Sequence, residues 1–502
     1  MPDLRDYQRA AIERAQQALS SGTRRILIVA PTGAGKTVLA AAMAVDAAAS
    51  GQRVLFLVHR RELLVQASRK LHAVGLDHGM VAPGFPGRPA EPVQVASIAT
   101  LHARAVRSAS VALPPADIVF VDEAHHATAR TWRRLIEAYP QASVVGLTAT
   151  PCRGDGRGLG ALFEALVECP AIGQLTADGH LVPTKVFAPT PPDLAGIRVT
   201  GGDYNEQQLA ERMDRPRLVG DVVEHWLRLA AGRKTVVFAV NVAHAVHLRD
   251  EFGRAGVAAA HVDGTTPLDE RDAILARLAA GTVDVVANCG VLTEGFDLPE
   301  IGCIVLARPT KSFGLYRQIV GRGLRPAPGK DHCLVLDHAG CTFEHGFIDE
   351  PVEWTLAADK RLMRAAAAAR AARGVPKLLE CPECSAARWQ GQPCRACGWR
   401  PQPRPCAVET AAGELGQLDR DGVVQAAGPS LEEKQSFYSQ LLWIARQRGY
   451  KSGWAAHKYR EKFEAWPSGR YAEPSPPEPA VLAWVRSRQI AYARALEKER
   501  AA

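Results

Sequence analysis

The run Ala30-Pro31-Thr32-Gly33-Ala34-Gly35-Lys36-Thr37 follows the apolar stretch Ile26-Leu27-Ile28-Val29. Together they dictate a buried strand that turns through a glycine loop into a helix starting near Thr37. Gly33 and Gly35, interleaved with Thr32 and Ala34, let backbone N–H groups turn inward on a polyphosphate. Lys36 brings a point charge to the outer phosphates, and the Thr37 hydroxyl can ligate Mg²⁺. The strict pattern asks for glycine where Ala30 stands, so the order of strand, loop and helix carries the reading along with the spelling. A chain built around this loop is expected to use ATP.

At 502 residues the chain exceeds what one hydrophobic core usually serves, which predicts two large domains with smaller additions. Apolar, β-rich runs at 53–59, 93–98, 117–122 and 143–148 alternate with helical patterns and define an α/β domain over 1–185. A second series at 235–240, 283–287, 301–307 and 333–336 defines another over 186–350. The Ala/Arg-rich stretch 362–373 predicts a connecting helix within 351–380. A cysteine cluster follows at 381–400, then a proline-bearing linker at 401–405. A basic helical segment over 425–502 is broken by prolines at 474–479 before a last helix.

The formal net charge of +8 suits a polyanionic partner, but spread over a chain this long it also suits none. No run approaches the roughly eighteen apolar residues of a membrane span, and Met1-Pro2-Asp3-Leu4-Arg5-Asp6 is not an apolar signal. The expectation is a cytoplasmic protein with no membrane partner. Its eleven cysteines then read as reduced thiols or metal ligands, not as a disulfide framework.

Asp122-Glu123-Ala124-His125 ends the strand Ile118-Val119-Phe120-Val121 and so places two carboxylates at the carboxyl edge of a sheet, where open α/β folds bind ligands. The acids can divide the work: Asp122 holding Mg²⁺ through water, and Glu123 orienting and deprotonating the water that attacks the γ-phosphate. His125 is read as a relay of nucleotide state to the next strand, His126 as packing.

With these elements in view, residues 4–340 resemble the superfamily 2 helicases and translocases of DEAD/DEAH type, which implies two tandem RecA-like parallel-sheet domains. Leu4-Arg5-Asp6-Tyr7-Gln8 resembles the adenine-reading element, with Arg5 and Gln8 at the base; a Gln amide can offer both donor and acceptor to a base edge. Val58-His59-Arg60-Arg61-Glu62-Leu63 and Ser97-Ile98-Ala99-Thr100-Leu101 resemble blocks that grip a nucleic-acid strand, through Arg60 and Thr100. Thr148-Ala149-Thr150 resembles the element that links hydrolysis to strand grip. Leu292-Thr293-Glu294-Gly295-Phe296-Asp297 resembles a block in which Thr293 faces the strand while Gly295 and Asp297 face the nucleotide. Gln318-Ile319-Val320-Gly321-Arg322-Gly323-Leu324-Arg325 resembles the block that closes over ATP, with Gln318 in the coupling path. Arg322 and Arg325, three apart, are expected on one helical face as arginine fingers supplied in cis. Asn241 has two readings, a backbone contact to nucleic acid or a helix N-cap.

Arg308-Pro309-Thr310, Leu315 to Arg325 and Pro328-Gly329-Lys330 are similar to the RadD-like branch of DNA-repair helicases. That resemblance implies a DNA-dependent ATPase in recombinational repair, with single-strand-binding protein as a partner. It weakens after residue 345. Two alternatives remain beside it: an accessory repair factor using ATP as a switch, and an RNA helicase.

Cys381-Pro382-Glu383-Cys384 and Cys394-Arg395-Ala396-Cys397 bring four thiolates within reach of one tetrahedron, so Zn²⁺ in a structural ribbon is expected, with Cys406 outside the spacing. Trp399 beside it either stacks on a base or packs over the ribbon. Between Trp443 and Arg460, cations interleave with aromatics. That mixture reads equally as a second nucleic-acid grip or as an amphipathic hairpin burying its aromatics.

Overall fold

The computed structural model describes residues 4–108, 110–152, 158–188, 192–357, 378–401, 417–418, 424–425, 429–451, 453–467 and 472–500. The expected connecting helix and Cys406 lie outside them. Met1–Gln402 form one compact unit and Pro403–Ala502 another.

The first sheet holds β1 (Arg25–Val29), β2 (Val54–Val58), β3 (Gly79–Val81), β4 (Val93–Ser97), β5 (Ile118–Val121), β6 (Ser143–Thr148) and β7 (Ala165–Glu168). Their order is β3-β4-β2-β5-β6-β1-β7, and every pairing is parallel. The strands read as unbroken apolar runs because both faces are covered. Ile26 and Ile28 of β1 point to one face, packed with Leu39 and Leu64. Leu27 and Val29 point to the other, packed with Trp132 and Phe163.

The second sheet is built from β8 (Thr184–Phe187), β11 (Thr235–Phe238), β12 (Ala259–Val262), β13 (Val285–Asn288), β14 (Cys303–Leu306) and β15 (Cys333–Asp337), in the order β12-β13-β11-β14-β15-β8, all parallel. Between β8 and β11 in the chain lies a two-stranded antiparallel ribbon, β9 (Val199–Thr200) with β10 (Asp203–Tyr204). A small antiparallel pair, β16 (Leu378–Glu380) with β17 (Ala387–Trp389), carries the cysteine knuckles. It packs beside Phe187 of β8. Trp389 Nε1 donates to Glu350 Oε1 at 2.8 Å and Arg395 pairs with Asp349, which fastens this ribbon to the end of the second domain.

The C-terminal unit has helices Leu431–Gln447, Trp454–Phe463 and Pro479–Arg500. The first opens on a capping box between Ser430 and Glu433. Phe437, Leu441, Ile444, Tyr459, Val481 and Val485 form its own buried core, with Trp443, Tyr450 and Trp454 packed against it. The aromatics between 443 and 460 therefore serve chiefly to hold the three helices together. Trp466 remains about half exposed, with the Arg460 guanidinium 4.8 Å from its ring centre. Among the described residues no helix is long and apolar enough to cross a membrane.

Candidate ATP site and the cleft between the two sheets

The loop after β1 turns at Gly33 (φ 91°) and Gly35 (φ 86°), and the helix Lys36–Ala49 starts directly behind it. A Cβ on Gly35 would stand 2.5 Å from the Gln8 amide nitrogen, so this turn requires glycine on two counts. Ala30 needs none: its N–H donates to Thr148 O at 2.9 Å and extends the β1–β6 ladder by one residue. The departure from the strict pattern thus falls on ordinary strand backbone.

Lys36 Nζ lies 3.8 Å from Glu123 Oε1. Glu123 takes a left-handed backbone (φ 47°, ψ 52°) at the end of β5, a strained conformation for a residue with a side chain. Its buried Oε2 has no hydrogen-bond partner, and its N–H donates to Asp122 Oδ1 at 2.9 Å. Loss of water around the Asp122 carboxyl, with the Glu123 charge beside it, pushes it up to about 7, against the pull of Lys36. The superfamily 2 resemblance of the sequence implies ATP and Mg²⁺. The donor set fits them: two inward-turning glycines, a lysine, the Thr37 hydroxyl, an acid at the strand end, and an orphaned buried carboxylate oxygen. A bound Mg²⁺ would be held by Thr37 and Asp122 and would neutralise charge on the outer phosphates.

A pH dependence follows. Below about pH 7 the raised Asp122 carboxyl carries a proton that metal binding must displace, so apparent MgATP affinity should weaken by about tenfold per pH unit there and flatten above. Nucleotide titrations from about pH 6 to about pH 8 should show this slope in the native chain and lose it in Asp122→Asn.

Gln8 is buried and sits under the loop: its Nε2 donates to Ala34 O at 3.0 Å and its Oε1 accepts from Arg5 N at 3.0 Å. Tyr7 OH donates to the same Ala34 O at 2.9 Å, with Arg5 Nη1 3.4 Å from the phenol. The amide expected to meet a base edge is thus engaged with the phosphate loop itself.

Opposite this loop stands the helix Phe313–Gly321 of the second domain, capped by Ser312. A Cβ on Gly321 would fall 2.6 Å from Thr32 Cβ, so the two domains touch backbone to side chain at this point. Arg325 Cγ comes within 3.3 Å of where a Cβ on Gly33 would stand. The fingers do not share a helical face. The helix ends at Gly321, Arg322–Leu324 form a 3₁₀ turn, and Arg325 is extended. Arg322 is buried and donates to Thr293 O (2.7 and 3.1 Å) and Phe296 O (3.0 Å), while Arg325 pairs with Asp297. Burial depresses the Arg322 guanidinium to about 10, with Arg325 adding to the effect and Glu123 and Glu294 opposing it.

The coupling residues meet in the cleft. His125 Nε2 lies 3.4 Å from Gln318 Nε2 and 3.6 Å from Glu294 Oε1, and its Nδ1 lies 3.3 Å from Thr148 Oγ1 and 3.4 Å from Glu123 Oε2. Thr148 Oγ1 in turn donates to Thr150 O at 2.8 Å. Beside them lies a cavity of about 480 Å³ lined in part by Thr150, Thr293, Glu294 and Gln318.

Other expected residues are placed differently. The Asn241 side chain accepts from His244 N at 2.9 Å, which makes it the N-cap of helix Val242–Arg254 and not a strand contact. Gly295 faces the helix Arg61–Ala73 instead of the nucleotide: its carbonyl accepts from Gln66 Nε2 at 2.7 Å, and a Cβ there would meet Glu62 Cβ at 3.3 Å. Arg60 Nε turns to Glu294 Oε2 at 3.4 Å, and Thr100 sits partly exposed on the short helix Ile98–Leu101.

Glu294 is the residue the sequence reading gave no role. From the second domain its buried carboxylate meets His59, Arg60, His125 and His126 of the first. Desolvation opposes its charge, but imidazole contacts from His125, His126 and His59 hold the carboxyl far below the usual range. Arg271 reaches Glu62 in a second ion pair across the cleft. Neither pair is local in sequence, so nothing in the spacing announces it.

The ribbon sulfurs approach to 3.7 Å (Cys381, Cys397) and 3.6 Å (Cys384, Cys394), and all four lie within 4.8 Å of one another. Sulfurs around a tetrahedral Zn²⁺ with bonds near 2.3 Å stand about 3.8 Å apart, so the group fits the metal. Trp399 packs over the ribbon under the Arg388 guanidinium, 4.5 Å from its ring centre.

Residues 1–153 match the family described as "Type III restriction enzyme, res subunit", and residues 218–327 match "Helicase conserved C-terminal domain". The chain is 29% identical to a 51.5 kDa protein of a Lactococcus phage, over 74% of this chain and 77% of that one. It is 31% identical to the putative ATP-dependent helicase IRC3 of Saccharomyces cerevisiae, over 68% of this chain and 52% of the yeast protein, so it spans about half the length of that relative. In fold it is similar to the ATP-dependent type ISP restriction-modification enzyme LlaBIII bound to DNA. That likeness has a TM-score of 0.52 at 19% identity and covers 67% of this chain and 27% of that one. The two matched families, laid over two parallel-sheet domains that close on one phosphate loop, place this chain in helicase superfamily 2 as an ATP-hydrolysing enzyme.

Proposed function

We propose that the chain is an ATP-driven DNA translocase or helicase of RadD-like type, working in DNA repair, with Zn²⁺ held by Cys381, Cys384, Cys394 and Cys397. The observation that carries this reading is the continuous path from Glu123 through His125 to Gln318 on the other domain. ATP on the loop supplies contacts to both halves and favours their closure. Glu123 Oε2 accepts the proton of the attacking water, and Arg322 and Arg325 neutralise charge on the γ-phosphate. For Arg322 to reach that phosphate it must leave the carbonyls of Thr293 and Phe296. Thr293 lines the cavity beside the coupling residues, so its loop moves with the state of the nucleotide and alternates the grip on a strand.

DNA as the track is favoured by the RadD-like blocks, the net positive charge and the DNA-bound LlaBIII relative in fold. Single-strand-binding protein as a partner goes with the RadD-like assignment. The exposed Trp466 with Arg460 above it offers one stacking position in the C-terminal unit. ATP turnover measured in parallel with single-stranded DNA, duplex DNA, forked DNA and RNA tests the reading. Stimulation of about tenfold or more by a DNA species is expected. Stimulation by RNA alone would make it an RNA helicase, and flat, slow turnover on all four would make it an ATP switch.

A further inference from the structure

We propose that His59, His126 and Glu294 form a site for a divalent transition metal of the zinc type, bridging the two parallel-sheet domains and holding them closed. His59 Nε2 lies 2.9 Å from Glu294 Oε2, and His126 Nε2 lies 3.4 Å from Glu294 Oε1. One ligand atom from each residue falls within 4.8 Å of the others. Nitrogen and oxygen ligands around a tetrahedral ion with bonds of about 2.0–2.1 Å stand about 3.4 Å apart, so small side-chain movements admit the ion.

The donor set selects the metal. Two imidazoles and one carboxylate suit zinc and its first-row neighbours, whereas the ATP-linked ion takes oxygen donors from Thr37 and Asp122. Trp132 packs against both rings, with centroids 5.8 Å from His59 and 6.0 Å from His126, and so limits their rotation. Without metal, His59 Nε2 donates to Glu294 at 2.9 Å; an incoming ion displaces that proton, and the one that remains takes Nδ1, which is buried and has no hydrogen-bond partner. His126 and Glu294 line the 480 Å³ cavity, which gives the ion a route from solvent and leaves a fourth position for water. Arg60 and His125 also contact Glu294. Arg60 is a third exposed and can swing out as the metal charge arrives.

His59 and His126 belong to the first domain and Glu294 to the second, so the bound ion must lose a ligand before the cleft can open. A cycle that needs opening is therefore slowed by the metal, and the site acts as a brake.

The test uses the full chain with its ribbon already loaded with cobalt(II). Cobalt(II) titration should reveal a further equivalent with weak visible bands of nitrogen and oxygen ligation, apart from the intense thiolate bands of the ribbon. Under excess Mg²⁺, Zn²⁺ should inhibit ATP turnover, and His126→Ala and His126→Asn should each raise the concentration needed for half inhibition by about tenfold or more. Unchanged thiolate bands and melting profiles in these variants establish that they fold. Absence of the additional cobalt equivalent, or equal zinc inhibition of native and variant chains, would overturn the proposal. The cobalt readout stands whether or not DNA proves to be the track.

Discussion

Lys36→Ala should abolish ATP turnover, and Glu123→Gln should leave ATP bound but uncleaved. Both follow from the charge placed at the loop. Lys36 Nζ sits 3.8 Å from Glu123, and the helix behind the loop aims its N-terminus at the same place. Removing the ammonium takes away the cation that meets the outer phosphates, a loss on the order of 10²–10³-fold from the chemical step in addition to weaker binding. Glu123 has its own signature. A buried carboxylate oxygen that accepts no hydrogen bond, on a residue in left-handed backbone, is suited to take a proton from water. An amide of the same shape cannot take one, so turnover should fall on the order of 10²–10⁴-fold while nucleotide is retained. Single-turnover hydrolysis beside filter binding of labelled ATP separates the two variants. Ordinary hydrolysis by either would remove the site from this loop.

Gly321→Ala should cost nearly as much turnover while leaving the fold intact. Gly321 ends the helix with right-handed helical backbone (φ −57°, ψ −23°), which alanine adopts without strain, so the second domain keeps its fold. The added methyl nevertheless falls 2.6 Å from Thr32 Cβ, a separation that close packing forbids. The helix that delivers Arg322 and Arg325 must then stand back from the phosphate loop. A misplacement of about 1 Å at a reacting centre costs on the order of 10²-fold. ATP binding to the first domain should survive, since Lys36, Thr37 and Asp122 are untouched. Pairing Gly321→Ala with Thr32→Gly removes the opposing Cβ and should restore part of the rate. Native turnover in Gly321→Ala alone would show that the contact opens before chemistry.

Much of this architecture was legible in the chain, and what was not has a common cause. Every strand read from the sequence is an interior strand with a continuous apolar run, such as 54–58 or 118–121, buried along its whole length. Within the two parallel sheets the strands that escaped, β3, β7, β8 and β12, are the four edges. An edge strand has one neighbour and partial burial, so three or four residues suffice and their pattern is weak. In the site, residues fixed by local backbone geometry were readable: the glycine loop, the acids at the end of β5 and the four cysteines. Asn241 was ambiguous because an amide serves a helix cap and a phosphate equally well, and only the His244 contact decides it. The helical face expected for Arg322 and Arg325 failed at Gly321, where the close approach to Thr32 coincides with the end of the helix. Glu294 could not be found at all, because its meaning depends on partners more than 150 residues away.

The fastening of the cysteine ribbon has a mechanical consequence. Trp389 to Glu350, Arg395 to Asp349 and the packing beside Phe187 fix it to the edge of the second sheet. The stretch that anchors it also touches the first domain: a Cβ on Gly173 would stand 3.2 Å from Asp349 O, and Gly160 N donates to Leu356 O at 2.8 Å. The ribbon is therefore footed at the junction of the two sheets, so a change in the angle between them pulls on the very segment that carries it.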